Sequence, residues 1–552
     1  MNAETFCEQF ATFAEAPNGV AKLRELVFQL AVQGKVVPQD HNDEPASALF
    51  SQIQAERSRL IAEGVMRRSK PLPPVSNDEQ LFQIPTQWTW IRFDDVGDWG
   101  AGATPNRGRL DYFGGNIKWF KSGELNDAYI DDSEEKITEL ALKECSLREN
   151  EPGDVLVAMY GATIGKVAIL NVPATTNQAV CACTCHSGIF NRYLFLMLKA
   201  FKPYFISNSS GAAQPNFSKE KIVRTPFPLP PLAEQQRIVG KVDQLLGLCD
   251  ELAARQAARR EARSALVGAT LDRLVSARSS VEFPAHAHRL RDHFDRLFDT
   301  PTTIPQLRQA ILQLAVQGQL VPQDPNDEPA SVTHGDADAN NIEHVPFAIP
   351  TGWSWRPVSG VFDVSGGITK NPKRAPIKNH YPYLRVANVQ RGRLKLEEIE
   401  RFELCDGELE RWRLEPGDVL VVEGNGSEDE IGRCALWNGE IADCVHQNHI
   451  IRCRPLIHDV QNFVLLFLNS PAGIAEMKER AITTSGLYSL SVGKIRSLVI
   501  PLPPLSEQKR IVSKVTELLS LCDALEAKLT QAESASTQLL SAAVHYLLTK
   551  QH

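Results

Sequence analysis

Three stretches of the chain hold residue types capable of chemistry, and each fails on spacing. Gly161–Val167 reads GATIGKV. A phosphate-cradling loop places five residues between its first glycine and its lysine, then a Ser or Thr to hold magnesium. Here four intervene, and Val167 follows Lys166. Gly417–Asn425 reads GDVLVVEGN, an acidic pair of nuclease type in Asp418 and Glu423, with Asn425 where a lysine belongs. The matching stretch from Gly153, GDVLVAMYG, lacks the glutamate. Cys181–His186 reads CACTCH. Thiols and imidazole bind metals, but alternate residues of a strand face one side, unlike the paired C-x2-C knuckles that wrap zinc. A buried strand is expected there. No G-x-G-x-x-G follows a strand, and no Asn-Pro-Pro-aromatic string of the amino-methyltransferase kind occurs. No catalytic residue and no metal site is assigned.

The elements around these stretches are written twice. PLPPLAEQQRIVGKVDQLLGLCDEL, from Pro228 to Leu252, returns as PLPPLSEQKRIVSKVTELLSLCDAL from Pro501 to Leu525, an ungapped shift of 273 residues. Its apolar positions Ile238, Val242, Leu245, Cys249 and Leu252 step by 4, 3, 4, 3, and Ile511, Val515, Leu518, Cys522 and Leu525 repeat the series. That spacing is the seam of a coiled coil. The proline pair ahead of it stiffens an extended lead-in and tolerates a helix only from its first turn. Both copies share the prolines, a Glu-Gln pair (Glu234-Gln235, Glu507-Gln508) and an arginine (Arg237, Arg510). A helix from Glu234 to about Ala277 would be roughly 60 Å long. The expectation is that the two long helices pack antiparallel, with opposed domain orientations. Gln256, Arg259 and Arg263 interrupt the first seam and read as a solvated face or as a polar surface for DNA phosphate or partner subunits.

Further duplications frame the helices. LRELVFQLAVQGKVVPQDHNDEPAS from Leu23 answers LRQAILQLAVQGQLVPQDPNDEPAS from Leu307, IPTQWTW from Ile84 answers IPTGWSW from Ile349, and EPGDVLV from Glu151 answers EPGDVLV from Glu415. The first frame segment predicts a helix closing near Gly34, then a second over Ala46 to Gly64, whereas the second copy breaks off after Ser331 into a polar tract. The chain thus reads as 1–80 helical frame, 81–227 variable domain, 228–280 long helix, 281–344 linker and repeated frame, 345–500 variable domain, 501–552 long helix. Each variable domain shows short β-like runs and a late helix (Asn191 to Ala200, Val460 to Leu468), so the fold class is α/β (α+β), two globules of about 150 residues, in line with the size at which single cores stop growing.

The chain has 552 residues, 43% of them hydrophobic, a formal charge of −8 and 11 cysteines. No apolar run approaches the roughly 20 residues of a membrane span and no signal peptide opens the chain, so a cytoplasmic protein with reduced thiols is expected. A pI near 6.0 offers no general basic footprint.

The long-helix sentence, the QLAVQGxxVPQDxNDEPAS frame and the paired IPxxWxW…EPGDVLV domains resemble the specificity subunits of type I restriction–modification systems over nearly the whole chain. The resemblance implies a non-catalytic subunit with two target recognition domains, each reading one half of a split double-stranded DNA target. It also implies helices that set the spacer and dock two methyltransferase (modification) subunits, with nuclease/translocase (restriction) subunits joining the complex. S-adenosylmethionine, ATP and Mg then belong to the partners and no cofactor to this chain. The alternatives are a self-sufficient fused methyltransferase/nuclease, which the missing motifs disfavour, and a scaffold or regulator that no longer reads DNA.

Base reading calls for side chains with fixed donor and acceptor patterns, together with cations for phosphates. The first domain offers Arg107, Arg109, Lys118, Trp119 and Lys121, then Tyr160, Thr163 and Lys166 in a Gly-rich turn. The second offers Lys370, Lys373, Arg374 and Lys378, then Arg385, Asn388 and Arg433. Late polar segments add Gln214 and Asn216 in the first domain and Tyr488 in the second. The two lobes share basic character and no evident residue pattern.

Overall fold

The computed structural model describes residues 14–68, 70–210, 215–277, 281–330, 345–369, 378, 380–424, 430–481 and 489–549. It divides into two compact units, Met1–Ala258 with Glu533–His552, and Arg259–Ala532. Both are mixed α/β.

Alternation of apolar residues builds the same two-layered globule in each unit. The EPGDVLV repeat supplies the central strand, Val155–Ala158 or Val419–Val422, every residue of which is buried. Successive side chains of a strand point to opposite faces. Val155 and Val157 therefore enter the core that holds the late helix residues Tyr193, Leu194 and Met197, while Leu156 and Ala158 pack on Phe120, Leu125 and Leu170. Val419 and Val421 join Phe463, Val464 and Phe467, and Leu420 and Val422 join Leu384 and Trp437. The late helices span Asn191–Ala200 and Val460–Asn469.

In the first unit the main sheet runs Gly97–Ala101, Val180–Cys185, Val155–Ala158, Val167–Leu170, Tyr129–Ile130. In the second it runs Phe362–Ser365, Ile450–Pro455, Val419–Val422, Cys434–Leu436. The register sets Cys183 opposite Val155 and Cys453 opposite Val419, so the CACTCH segment is a core strand. Burial pushes the Cys181 thiol up to about 12. Among the described residues no group of three or more His, Cys, Asp or Glu is placed to hold a metal ion.

The other two duplications prove to be strand partners. Thr89–Arg92 pairs antiparallel with Pro226–Leu229, setting Trp90 opposite Pro228, and Ser354–Pro357 pairs with Val499–Leu502, setting Trp355 opposite Pro501. Proline cannot donate to a ladder, and these two-stranded sheets have only edges, where it is tolerated.

Directly after the prolines the long helices begin, Leu232–Ser276 and Leu505–Thr549, 45 residues each. Ser506 therefore lies inside its helix. Glu234, the third residue, is fully buried and accepts from the Trp88 indole Nε1–H at 3.0 Å and the Gln39 amide at 2.7 Å. Glu507 accepts from Trp353 at 2.9 Å and Gln323 at 2.6 Å. One turn on, Arg237 grips Asp43 at 2.5 Å and Arg510 grips Asp327 at 2.6 Å. Gln235 donates to Gly188 O and Pro230 O and accepts from Phe190 N–H, and Gln508 donates to Pro503 O. The frame turn that brings Gln39 and Asp43 to the helix starts at Gly34, whose φ of 68° suits glycine and whose missing side chain leaves room for Pro85 and Trp88. Gly318, with φ of 70°, does the same beneath Pro350 and Trp353.

The seam residues are buried, and the structure names their partners. Ile238 and Val242 sit in the first unit's core with Trp88, Ile91 and Phe227; Cys249 and Leu252 pack on Ala14, Val20 and Leu23. Ile511, Val515 and Cys522 lie in the second unit's core with Leu307 and Ile311, and Leu518 and Leu525 pack against it; Leu245 is half-buried. At Cys249 the groove is thus filled by the frame helix Gly19–Val32. That helix has a second apolar face, on which Leu26 meets Leu540, Ala543 and Val544 from the end of the other long helix. In the second unit the frame helix Ile304–Val316 shares a core with Val267 and Leu271. Each long helix is therefore divided between the units, in opposite order. Arg24 pairs with Asp250 as Arg308 pairs with Asp523. Of the seam-breaking residues, Gln256 donates to Ala14 O at 2.8 Å and Arg263 pairs with Asp299 at 2.5 Å.

Burial pushes the Glu234 and Glu507 carboxyls up, against the donors that hold them. Each is protonated more readily in the fold than in the unfolded chain, so stability from this source is complete below the ordinary carboxylate range and falls as pH rises through the raised value. Unfolding of the full chain between pH 4 and 8 should show a flatter pH dependence in the Glu234→Gln/Glu507→Gln variant; an unchanged slope contradicts the assignment. Glu234→Ala should instead cost about 1–3 kcal/mol at all pH values, since the Trp88 and Gln39 donors lose their acceptor.

Candidate nucleic-acid interface

In each unit a short parallel pairing sets two polar residues side by side. Trp119 and Phe120 run along Thr175 and Thr176, and Tyr383 and Leu384 run along Val445 and His446. The next residues are Lys121 beside Asn177 and Arg385 beside Gln447. The Asn177 N–H donates to Phe120 O and the Gln447 N–H to Leu384 O, both at 2.9 Å. Across the neighbouring antiparallel strand, Glu135 stands opposite Trp119 and Glu400 opposite Tyr383. Lys121 Nζ bonds Glu134 at 2.9 Å and Glu135 at 3.1 Å, and Arg385 Nη1 bonds Glu400 at 2.9 Å. These carboxylates hold the Lys121 ammonium above its usual range, Glu134 first and then Glu135. The two domains thus share an acid-held cation at one structural position, which corrects the expectation that their lobes match in charge alone. The match escapes the sequence because KWFK and YLR keep residue type and lose identity.

Two other expectations are corrected by burial. Trp119 is 1% exposed and its indole N–H donates to Ala103 O at 3.0 Å, just as the Tyr383 hydroxyl donates to Ile368 O at 3.2 Å. It is a core ring tying two strands together, with the Arg107 guanidinium lying over it at 5.2 Å. Asn388 is 3% exposed and spends its amide on Lys395 O and Glu398 O and its carbonyl on Arg385 N–H, which holds the loop in shape. Arg433 is also largely buried, bonded to Glu430 at 2.5 Å.

The remaining candidates keep polar exposure. Arg107 pairs with Glu135 and Arg109 with Asp111, each partly exposed. Lys118 bonds Asp131 O. The Thr163 hydroxyl donates to Tyr160 O at 2.8 Å, and Lys166 closes that turn through its own N–H to Thr163 O at 2.9 Å. Tyr160 and Ser210 each bridge to Asn216, whose Oδ1 is buried without a hydrogen-bond partner. Lys378 is exposed, its N–H on Glu403 at 3.1 Å. Gln214, Lys370, Lys373, Arg374 and Tyr488 lie outside the described residues, as does the polar tract after Ala330.

Sequence reasoning passed over the turns beside the shared cation, Asn177-Gln178-Ala179 and Gln447-Asn448-His449. The available signal is a pair of adjacent amides just ahead of the strands that begin at Val180 and Ile450 in both halves.

A frame that presents the same polar tip twice and surrounds it with unlike loops is built for recognition. This chain belongs to the family described as type I restriction modification DNA specificity domain, whose model matches residues 85–259 and 350–533. It is 28% identical to the type I restriction enzyme EcoEI specificity subunit of Escherichia coli, over 95% of this chain and 93% of that one. It is 27% identical to the EcoAI specificity subunit of Escherichia coli, with the same 95% and 93% coverage. A solved structure titled "Structural basis underlying complex assembly and conformational transition of the type I R-M system" matches at 17% identity and a TM-score of 0.47, over 85% of this chain and 99% of that one.

If the shared cation meets a phosphate, Lys121→Ala and Arg385→Ala should each lower the slope of log K against log salt for duplex binding by about 0.9. Salt titrations of the full-length chain check this, and slopes equal to that of the wild type would remove both residues from the phosphate contacts.

Proposed function

We propose that the two domains read the two halves of an asymmetric, split DNA target, and that the long helices fix the number of unread base pairs between them. The observation that carries this reading is the cation at Lys121 and Arg385, seated identically by Glu135 and Glu400 while the side chains around it differ. A common scaffold with unlike neighbours suits two unlike half-sites. A 45-residue helix extends about 67 Å, and half-sites one turn apart lie about 34 Å centre to centre, so such a helix is long enough to set that separation.

On this reading the chain performs no catalysis. It assembles in the cytoplasm with two methyltransferase subunits, which bind S-adenosylmethionine, and with restriction subunits that use ATP and Mg. Supporting a soluble assembly role, no helix among the described residues is long and apolar enough to cross a membrane. The acidic balance of the chain is consistent with partners that supply part of the positive surface facing the duplex.

Selection of bound duplexes from a random pool, using the full-length chain with its methyltransferase subunits, should return two unlike short motifs separated by a fixed unread spacer. A continuous motif or a strict palindrome would sink the proposal.

A further inference from the structure

Deepening that reading, and resting on it, we propose that Gln178 and Asn448 are specificity-determining residues. Each would place a side-chain amide against a base edge, with an A·T pair as the favoured target.

The turns that carry them are held by the same contacts in both domains. Met159 N–H donates to Ala179 O at 2.8 Å and Phe217 N–H to Met159 O at 2.9 Å; in the second domain Glu423 N–H donates to His449 O at 2.9 Å and Leu490 N–H to Glu423 O at 2.6 Å. On the other side, Gly102 lies so close to Thr176 O and Asn177 O, and Gly367 to His446 O and Gln447 O, that neither position has room for a Cβ. Gly102 N–H is bonded to Val180 O at 3.0 Å, and Ile368 N–H to His446 O at 2.9 Å. Beneath the turn, burial keeps Thr176 and His446 out of water, and the hydrogen bond of Asn177 N–H or Gln447 N–H fixes its start to the cation-bearing strand. So many restraints on three residues pre-organise the tip, as a reading element requires.

The chemistry of the tip favours bases over phosphates. Asn177 uses its Oδ1 within the turn, accepting the Ala179 N–H at 3.1 Å, so its role is structural. Gln178 is exposed, and the Thr104 hydroxyl donates to its Oε1, which orients the amide and leaves Nε2–H and the second lone pair of Oε1 facing outward. An amide with one donor and one acceptor on offer matches the N6–H and N7 of adenine in the major groove, whereas a phosphate offers only acceptors. Lys121 and Arg385, on the adjoining strand, supply the charge for a phosphate beside that base. Asn448 occupies the place of Gln178 in the second domain with a shorter side chain, and exposed His449 follows, bonded to Glu423 at 2.9 Å. The two tips therefore share a backbone and differ in reach.

The test is duplex selection and affinity measurement on the full-length chain with its methyltransferase subunits, comparing wild type with Gln178→Ala, Gln178→Glu and Asn448→Ala. Gln178→Ala should erase the preference at one base pair of one half-site, lower affinity for the wild-type target by about 5- to 150-fold, and leave the other half-site intact. Asn448→Ala should do the converse. Gln178→Glu, of equal size and acceptor-only, should move the preference from adenine toward cytosine. Motifs unchanged in all three variants would overturn the proposal. So would an affinity loss equal for every sequence and accompanied by a smaller salt slope, which is the mark of a phosphate contact. A wild-type chain that selects no split motif fails the reading of two half-sites, whereas a split motif indifferent to both turns fails this inference alone.

Discussion

The structure depends on a carboxylate buried in the first turn of each long helix. Glu234 and Glu507 have no exposure to water, and each is reached by an indole from the start of a variable domain and an amide from the frame turn. A buried acid tolerates its desolvation only where donors replace water. The requirement acts in both directions, since Trp88 and Trp353 are themselves buried and need an acceptor. Frame, domain and helix are thereby joined at one point in each unit, with Arg237–Asp43 and Arg510–Asp327 fixing the rotation of the helix one turn later. The long helices are consequently extensions of the globules, entered through a strand and clasped at their first residues.

With that joint in place, the rest of each domain can vary. The central strands are buried on both faces and carry the same VLV core, and the late helix covers one side. Loops at the far edges are released from these demands. Where the domains must still agree, they agree in backbone: the parallel pairings at Thr175–Thr176 and Val445–His446, the close approach of Gly102 and Gly367, and the aromatic donors to Ala103 O and Ile368 O. At Trp119 and Tyr383 the ring differs while the acceptor is the same, a substitution allowed because either donor can span the gap.

Much of this was legible in the sequence. The long helices, their 4-3 seam, the late helices and the central strands follow from periodicity and verbatim repetition, which are local signals. What stayed hidden is non-local. Nothing in IPTQWTW names PFPL as its partner, because the pairing spans 137 residues from Trp90 to Pro228. The Glu-Gln pair stood out as shared, and its role emerged only when Trp88 and Gln39 were brought to it. Trp119, in a cationic stretch, reads as a stacking surface; which face of the strand it takes is decided by the second sheet layer. The cations Arg107 and Lys121 seemed unopposed because Glu134 and Glu135 reach them across a hairpin.

The sharing of each long helix between units bears on how the chain is made. The frame helix Gly19–Val32 emerges almost first from the ribosome, yet Leu26 is covered by Leu540, Ala543 and Val544, which emerge last. At about 5–20 residues per second, roughly half a minute to two minutes separates the two events. Throughout synthesis the first unit carries an apolar stripe with no cover, a docking place for a chaperone or for another nascent chain. The second unit, whose segments run without interruption from Arg259 to Ala532, has no such wait. Its fold closes on the ribosome, and the first domain to be translated is the last to be finished.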